Sequence, residues 1–358
     1  MLGCFRAKWI PVRVKKTRQN PEPRSDSVGT EKALAPRWFN RESLLAPFLA
    51  FARACVVFFL RRLAPHVVSI EPIRRVPGWW SGYTLETPPD AARKTRLKLW
   101  DALLGQNVRV KWIDGIKLDL RMGTDIARLV FVAGEIDPNE FSFLAAFLQP
   151  GMSTIDIGAN EGLYTLFFRK RVGPQGHVIA IEPSARELQQ LRKNLRINGF
   201  ADVEVVASAI GAEPAQAQLS VAEPGHAGFN ALGAIAAPWV SFVSQTEVTV
   251  TTLDLLAEAR NWPRIDLIKM DIEGSELNAL RGAQALLARD RPVLLLEAEE
   301  ESLSLRGSSL TELLDWLAAR NYEAMDFSDA DGSPVPLGAR QPRALNLVFL
   351  PKGRPTGR

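Results

Sequence analysis

Two short stretches concentrate the residues able to do chemistry. The first is Asp156-Ile157-Gly158-Ala159-Asn160-Glu161-Gly162, two carboxylates and an amide set among glycines. The second is Asp266–Glu276, D-L-I-K-M-D-I-E-G-S-E. Between them stands Glu182, about 20 residues past the first stretch, where an acid can accept both hydroxyls of a ribose. In the second stretch Asp271 and Glu273 are the candidates for proton transfer or for holding a cation. Two residues apart in extended chain, they would point to the same side. Lys269 precedes them, and a lysine inside a strand calls for a partner. Ser275 and Glu276 read as caps of the helix that follows. Glu297 ends another apolar run, L-L-L-E, beside the same crevice, whereas Glu299, Glu300 and Glu301 read as a solvated run.

The elements that must position these groups are legible around them. Ile155 and Ile157 flank Asp156 in a short apolar run, which predicts a strand. Gly158, Asn160 and Gly162 make the loop, and Leu163–Phe168 turns helical. Strand, glycine loop and helix is how open α/β sheets hold the adenosine part of a cofactor. Gly158 and Gly162 are expected to remove Cβ atoms where the backbone turns and a ligand comes close. The charges then choose the ligand. Asp156 and Glu161 would repel a diphosphate but suit a molecule carrying an ammonium and a sulfonium, and the dinucleotide spacing G-x-G-x-x-G is absent. The loop therefore reads as one for S-adenosylmethionine.

The remaining chain is organised in three parts. Residues 1–36 are basic and poor in apolar side chains, and read as a disordered tail. Residues 37–105 read as a helical extension and linker. Within it, Phe39–Leu63 is an apolar helix carrying Arg41, Arg53, Arg61 and Arg62; it reads first as docked on the catalytic domain, and alternatively as lying on a membrane surface. Leu44–Leu60 contains Pro47 and Arg53 and falls short of a clean span of about 18 to 20 residues. Pro65–Pro89 reads as a linker or irregular cap. Two cysteines, Cys4 and Cys55, are too few for a disulfide framework or a thiolate zinc site, which fits the reducing cytoplasm. The net charge of +4 is front-loaded, a pattern of solvated tails, and no nucleic-acid partner is expected.

Residues 106–351 form the cofactor domain. Val108–Leu120 predicts a hairpin closed by the three-residue loop Ile113–Gly115, a register that puts Val108, Val110, Trp112, Ile116, Leu118 and Leu120 on one face. Asp137 and Glu140 read as a capping box around Pro138, and Ser184 and Glu187 as another. Strands are expected at His177–Ile181, Val203–Val206, Ile265–Met270, Val293–Leu296, Tyr322–Phe327 and Leu345–Phe349. Helices alternate with them, one from about Ser275 to Leu287 and one capped by Ser309. A hairpin-like region is expected around Gln218–Val221 and Val248–Val250. The pattern predicts an α/β domain with a mostly parallel seven-stranded sheet, helices on both faces and the N-terminal extension in front. His226 lies in a Gly-rich loop long enough to cover a substrate; lone loop histidines are usually incidental. His66 and His177 suggest no role.

Taken in order, D-I-G-A-N-E-G at 156–162, I-E-P at 181–183, N-L-R-I-N-G at 194–199, I-K-M-D-I-E-G-S-E at 268–276, L-R-G-A at 280–283 and Glu297 resemble the FkbM family of S-adenosylmethionine-dependent methyltransferases, over about Glu135–Glu300. The resemblance implies a class I, Rossmann-like fold and methylation of hydroxyl groups, often on sugars, glycans or secondary metabolites. By analogy with class I enzymes, Gly158 and Gly162 would admit the methionine portion, Glu182 the ribose, and Ser208 and Ala209 the adenine edge, with Asp156 and Asn160 also counted among the cofactor-binding residues. Asp271, with Glu273 or Glu297 in support, is then the expected base or the ligand of an assisting divalent ion, for which hard oxygen donors would suit Mg²⁺. Two other readings stand beside this one: a nicotinamide-dependent oxidoreductase on a similar sheet, and a non-catalytic module that binds the cofactor.

Overall fold

A computed structural model describes residues 68–69, 91–134, 136–237, 240–328, 331–342 and 345–353. The tail at 1–36 and the apolar helix at 39–63 lie outside the described residues. Among the described residues, no helix is long and apolar enough to cross a membrane.

The chain enters through β1 (Val68–Ser69), α1 (Ala91–Leu103), β2 (Asn107–Lys111), β3 (Lys117–Arg121) and the single turn α2 (Asp125–Arg128). β2 and β3 pair antiparallel with Val110 opposite Leu118, across the three-residue loop with Gly115 at φ 77°. The hairpin register is as expected, and all six side chains of its apolar face are buried. β1 adds a parallel strand to β2, so the stretch read as irregular linker contributes to a sheet. Trp100 of α1 packs on Phe131 at 6.4 Å between ring centroids.

Next come α3 (Pro138–Phe147), β4 (Ser153–Ile157), α4 (Leu163–Val172), β5 (His177–Ile181), α5 (Ala185–Asn198) and β6 (Glu204–Val206). Phe141 of α3 is the joint between hairpin and sheet. It stacks on Tyr164 at 4.6 Å and meets Phe167 at 5.0 Å and Trp112 at 5.2 Å edge-on. The Trp112 Nε1–H donates to the Gly134 carbonyl at 2.9 Å. Asn194 and Asn198, four apart on one face of α5, hold the hairpin from the other side. Asn194 Oδ1 accepts from the Asp119 amide at 2.9 Å and its Nδ2 donates to the Glu161 carbonyl at 2.9 Å. Asn198 bonds both backbone groups of Lys117, at 2.8 and 2.6 Å.

A second sheet of four strands follows: β7 (Ala209–Ile210), β8 (Ala215–Ala222), β9 (Ala231–Leu232) and β10 (Phe242–Thr251), in the order β7-β10-β8-β9. After α6 (Leu253–Arg260) the main sheet resumes with β11 (Leu267–Met270), α7 (Glu276–Arg281), α8 (Gln284–Asp290), β12 (Val293–Glu297), α9 (Glu300–Leu305), α10 (Leu310–Ala318), β13 (Tyr322–Phe327), β14 (Pro334–Pro336) and β15 (Asn346–Pro351). Its order is β14-β13-β15-β12-β11-β4-β5-β6. β4, β5, β6, β11 and β12 run parallel, while β15 lies antiparallel between β12 and β13. One apolar core covers each face: Ile155, Ile157, Ile268 and Met270 look to one side, and Leu267, Phe167 and Phe168 belong to the other. This is the α/β class I architecture that the motifs implied.

Four local expectations are corrected. The sheet has eight strands, because Pro334–Pro336 adds an edge strand; prolines are admissible there, with one side unpaired. The helix expected over 275–287 breaks into α7 and α8 at Gly282, where a Cβ would lie 2.1 Å from the Gly211 carbonyl oxygen. The Asp254 carboxylate caps the second piece, accepting from the amides of Ala285 and Leu286 at 2.9 and 2.8 Å. Asp137 forms no capping box: its backbone is left-handed and its side chain accepts no helix amide. At Ser184 the hydroxyl donates to the Glu187 carboxylate instead of capping the backbone.

Candidate active site

β4 ends at the loop that the sequence singled out. The amides of Gly158 and Ala159 donate to the Ile181 carbonyl at 3.0 and 3.1 Å, folding the loop over the end of β5. Gly158, Asn160 and Gly162 all have positive φ, of 72°, 49° and 94°. The need for glycine is set by protein packing. A Cβ on Gly158 would lie 1.9 Å from the Asp271 carbonyl oxygen, and one on Gly162 would lie 2.5 Å from Leu191 Cδ1. β4 and β11 thus approach each other at their carboxyl ends more closely than any side chain allows.

A cleft opens above these strand ends. Of the ten residues proposed from the sequence, Gly158, Asn160, Glu182, Ser208, Ala209 and Asp271 line it together. Asp156, Gly162, Glu273 and Glu297 do not line it. Glu182 is buried, with Oε2 accepting from the Asn160 amide at 2.9 Å and Oε1 from the Ser184 amide at 2.8 Å. Two backbone bonds fix the carboxylate and leave each oxygen a second lone pair for a ligand hydroxyl. Desolvation pushes Glu182 up to about 7, against those two bonds. Asn160 Oδ1 and Ser208 Oγ are buried oxygens without a hydrogen-bond partner among the described residues. Such atoms are costly, and a nucleoside with its hydroxyls and exocyclic amine offers the groups they lack.

Beneath the cleft, Asp156 and Lys269 are opposite each other in the parallel register of β4 and β11. Lys269 Nζ lies 3.6 Å from Asp156 Oδ1, 3.4 Å from Asp271 Oδ2 and 3.4 Å from the Gly158 carbonyl. It also sits 4.8 Å over the Tyr164 ring. Asp156 takes a further bond from the Thr165 hydroxyl at 2.5 Å. Burial would push Lys269 down, but Asp271, Asp156 and Asp137 outweigh it and hold the ammonium above its ordinary range. Desolvation raises Asp156 in spite of Lys269 and Thr165. Asp156 is therefore an internal strut that ties loop, strand and helix.

Asp271, Glu273 and Glu297 converge as the sequence suggested: each offers an oxygen, and these oxygens lie within 4.8 Å of one another. The geometry that unites them is a turn, since Glu273 at φ 54° and Gly274 at φ 93° swing the chain round after β11. Extended alternation plays no part. Gly274 is required there because a Cβ would meet the Ser302 carbonyl oxygen at 2.0 Å. Glu276 braces the turn, accepting from the amides of Ile272 at 2.9 Å and Gly274 at 3.4 Å. Desolvation, and then the charge of Asp271, push Glu273 and Glu297 well above the usual carboxylate range. Glu273 and Glu297 therefore resist carrying charge beside Asp271, and a proton or a cation would relieve them.

Two features escaped the sequence reading, and Glu161, already read as a charge of the loop, proves to be buried. Asp137 and Tyr164 line the cleft, and the Tyr164 hydroxyl donates to Asp137 Oδ2 at 2.8 Å. His226 Nδ1 is bonded to the Asp125 carboxylate, fastening the loop at 224–229 to α2, and the neighbouring Ala227 and Gly228 wall the cleft. Glu161 lines the cleft too; it is buried, and burial together with Glu187 raises it to about 7. Only the asparagine spacing at 194 and 198 hinted at how the hairpin joins the loop.

Residues 156–324 match the methyltransferase FkbM domain. A curated relative, Methyltransferase 1 of Beauveria bassiana (strain ARSEF 2860), is 27% identical over 142 residues, which cover 36% of this chain and 57% of the relative. The chain thus spans little more than half the length of that relative. Among solved structures, methyltransferase FkbM from Methylobacillus flagellatus KT is 20% identical with a TM-score of 0.38, over 56% of this chain and 43% of that one. The SAM-dependent O-methyltransferase from Thermotoga maritima is 13% identical with a TM-score of 0.35, over 69% and 77% of the two chains. The match over residues 156–324 is to the same family of methyltransferase domains that the motifs resemble.

Two measurements test this site. Lys269→Met removes the counter-charge of fully buried Asp156 and is expected to destabilise the fold by about 3–5 kcal/mol in urea unfolding. Glu182 has a folded value of about 7 against an ordinary 4.5, so its contribution to stability is full below pH 4.5 and is lost as pH rises through 7. That loss amounts to about 3 kcal/mol. Glu182→Gln is expected to flatten the fall in unfolding free energy over this window by the same amount.

Proposed function

We propose that this chain, which carries an FkbM-type methyltransferase domain over residues 156–324, transfers the methyl group of S-adenosylmethionine to a hydroxyl of a sugar, glycan or secondary metabolite. The observation that carries this reading is the single cleft in which Gly158, Asn160, Glu182, Ser208 and Asp271 meet. Glu182 would accept the ribose hydroxyls, Ser208 and Ala209 would border the adenine, and the Gly158–Glu161 loop would cradle the amino-acid portion. When bound, the cofactor supplies an electrophilic methyl group on a positively charged sulfur.

The chain's own task is then to bring an oxygen nucleophile in line and to take its proton. An alcohol ionises far above pH 7, so a positioned base is needed. Asp271 is half-exposed in the cleft wall, with Lys269 Nζ 3.4 Å from its Oδ2. It is the proposed base. Glu273 and Glu297 lie within reach to share the proton that Asp271 receives. The same three oxygens would also suit a hard divalent ion such as Mg²⁺, which would lower the pKa of the acceptor hydroxyl. A nicotinamide-dependent activity is disfavoured by the methyltransferase domain match and by the acidic loop.

Calorimetric titration with S-adenosylhomocysteine tests the reading, with NADH as the comparison. Tight binding of the first and none of the second is expected, with loss of binding in Glu182→Ala. Binding of NADH alone would overturn it. Once an acceptor is in hand, Asp271→Asn is expected to lower kcat by about 10²–10⁴-fold with cofactor affinity retained; an unchanged kcat would remove Asp271 from the mechanism.

A further inference from the structure

We infer that Asp137 anchors the α-ammonium of the bound cofactor, an inference that rests on reading the cleft as a site for S-adenosylmethionine. Asp137 lies outside the matched domain and carries no sequence signature of binding. It borders the cleft beside Ile136 and Tyr164, and Tyr164 in turn meets Lys269, which reaches the Gly158 carbonyl of the loop that would receive the amino-acid portion.

Three observations on this residue converge. Its backbone is left-handed, φ 46° and ψ 58°, immediately before a proline that opens α3. Non-glycine residues held in that region cluster at ligand clamps, because the surrounding structure must impose the conformation. The side chain does not use its position to cap the helix. Its Oδ2 instead accepts the Tyr164 hydroxyl at 2.8 Å, which fixes the carboxylate plane, while Oδ1 takes no hydrogen bond among the described residues.

The charges around it are unbalanced. Asp137, Asp156 and Asp271 all act on Lys269, three carboxylates about one ammonium. Asp156 and Asp271 are the two in ion-pair contact with that lysine. Asp137 is left as the cleft-lining acid with no ion pair among the described residues. An ammonium group has three N–H donors and would complete both the hydrogen bond and the charge balance. A sulfonium has no donor and would gain only the charge term, which assigns the ammonium, not the sulfur, to Asp137. Tyr164 adds an aromatic face to the same corner, where Lys269 already rests over its ring.

The test compares two ligands that share the adenosine and the sulfur but differ in the amino acid. Wild-type protein and Asp137→Asn are titrated with S-adenosylhomocysteine and with 5′-methylthioadenosine, which lacks the ammonium. The expected result is a tenfold or greater loss of affinity for S-adenosylhomocysteine in Asp137→Asn, with 5′-methylthioadenosine binding unchanged in the same sample. The second ligand also reports that the variant is folded. Equal affinities of wild type and variant for S-adenosylhomocysteine would overturn the assignment, as would a parallel loss for both ligands, which would make Asp137 a structural residue or one that serves the acceptor. Should Asp137→Asn fail to fold, Tyr164→Phe releases the carboxylate, and a several-fold loss confined to S-adenosylhomocysteine is expected; no loss would count against the proposal. Failure of the wild type to bind S-adenosylhomocysteine at all would sink the reading of the cleft, and this inference with it.

Discussion

The pairing of Lys269 with Asp156 in the middle of the sheet is the constraint on which the rest of the cleft depends. A charge pair inside a parallel sheet is expensive to desolvate and is tolerated only when each member has further partners. Here those partners are the parts of the site. The lysine reaches the Gly158 carbonyl and Asp271, and the aspartate reaches Thr165 at the start of α4. One buried pair therefore fixes the loop, the candidate base and the first turn of the following helix relative to one another. Glycine at 158 and at 274 then lets the strand ends approach to distances that no Cβ would permit.

Around this centre the carboxylates divide by environment. Those that accept backbone amides, Glu182 and Glu276, hold the loops they touch. Glu273 and Glu297 have fewer such bonds and share the field of Asp271, so burial and that charge together raise them well above the usual carboxylate range. The division follows hydrogen bonding more than burial, since members of both sets are withdrawn from water.

What was legible in the sequence was local. The hairpin register followed from the alternation of Val108, Val110 and Trp112 with Ile116, Leu118 and Leu120, and His177–Ile181 was bounded to the residue. The glycine loop, Glu182 and the convergence of Asp271 with Glu297 followed from where strands of an open sheet end. What was not legible depends on contacts far apart in the chain. The break at Gly282 is imposed by the Gly211 carbonyl, and the edge strand at Pro334–Pro336 exists because β13 offers it an unpaired side. Asp137 looked like a helix cap because Pro138 and Glu140 supply the cap's spelling; Tyr164, 27 residues away, takes the carboxylate instead.

The asparagine strap on α5 makes the unit of inheritance larger than the unit of resemblance. Asn194 holds the hairpin strand β3 with its oxygen and the glycine loop with its nitrogen, so one amide joins a segment before residue 156 to the loop within the matched domain. The hairpin and the loop are in that sense a single module, although only one of them falls inside the domain's borders. A swap of acceptor-facing segments between relatives, or a fragment cut at the domain's edge, would leave Asn194 with half of its bonds and Tyr164 without the ring it stacks on. Modularity in this fold is decided by that side chain, and the useful seams lie upstream of Val108.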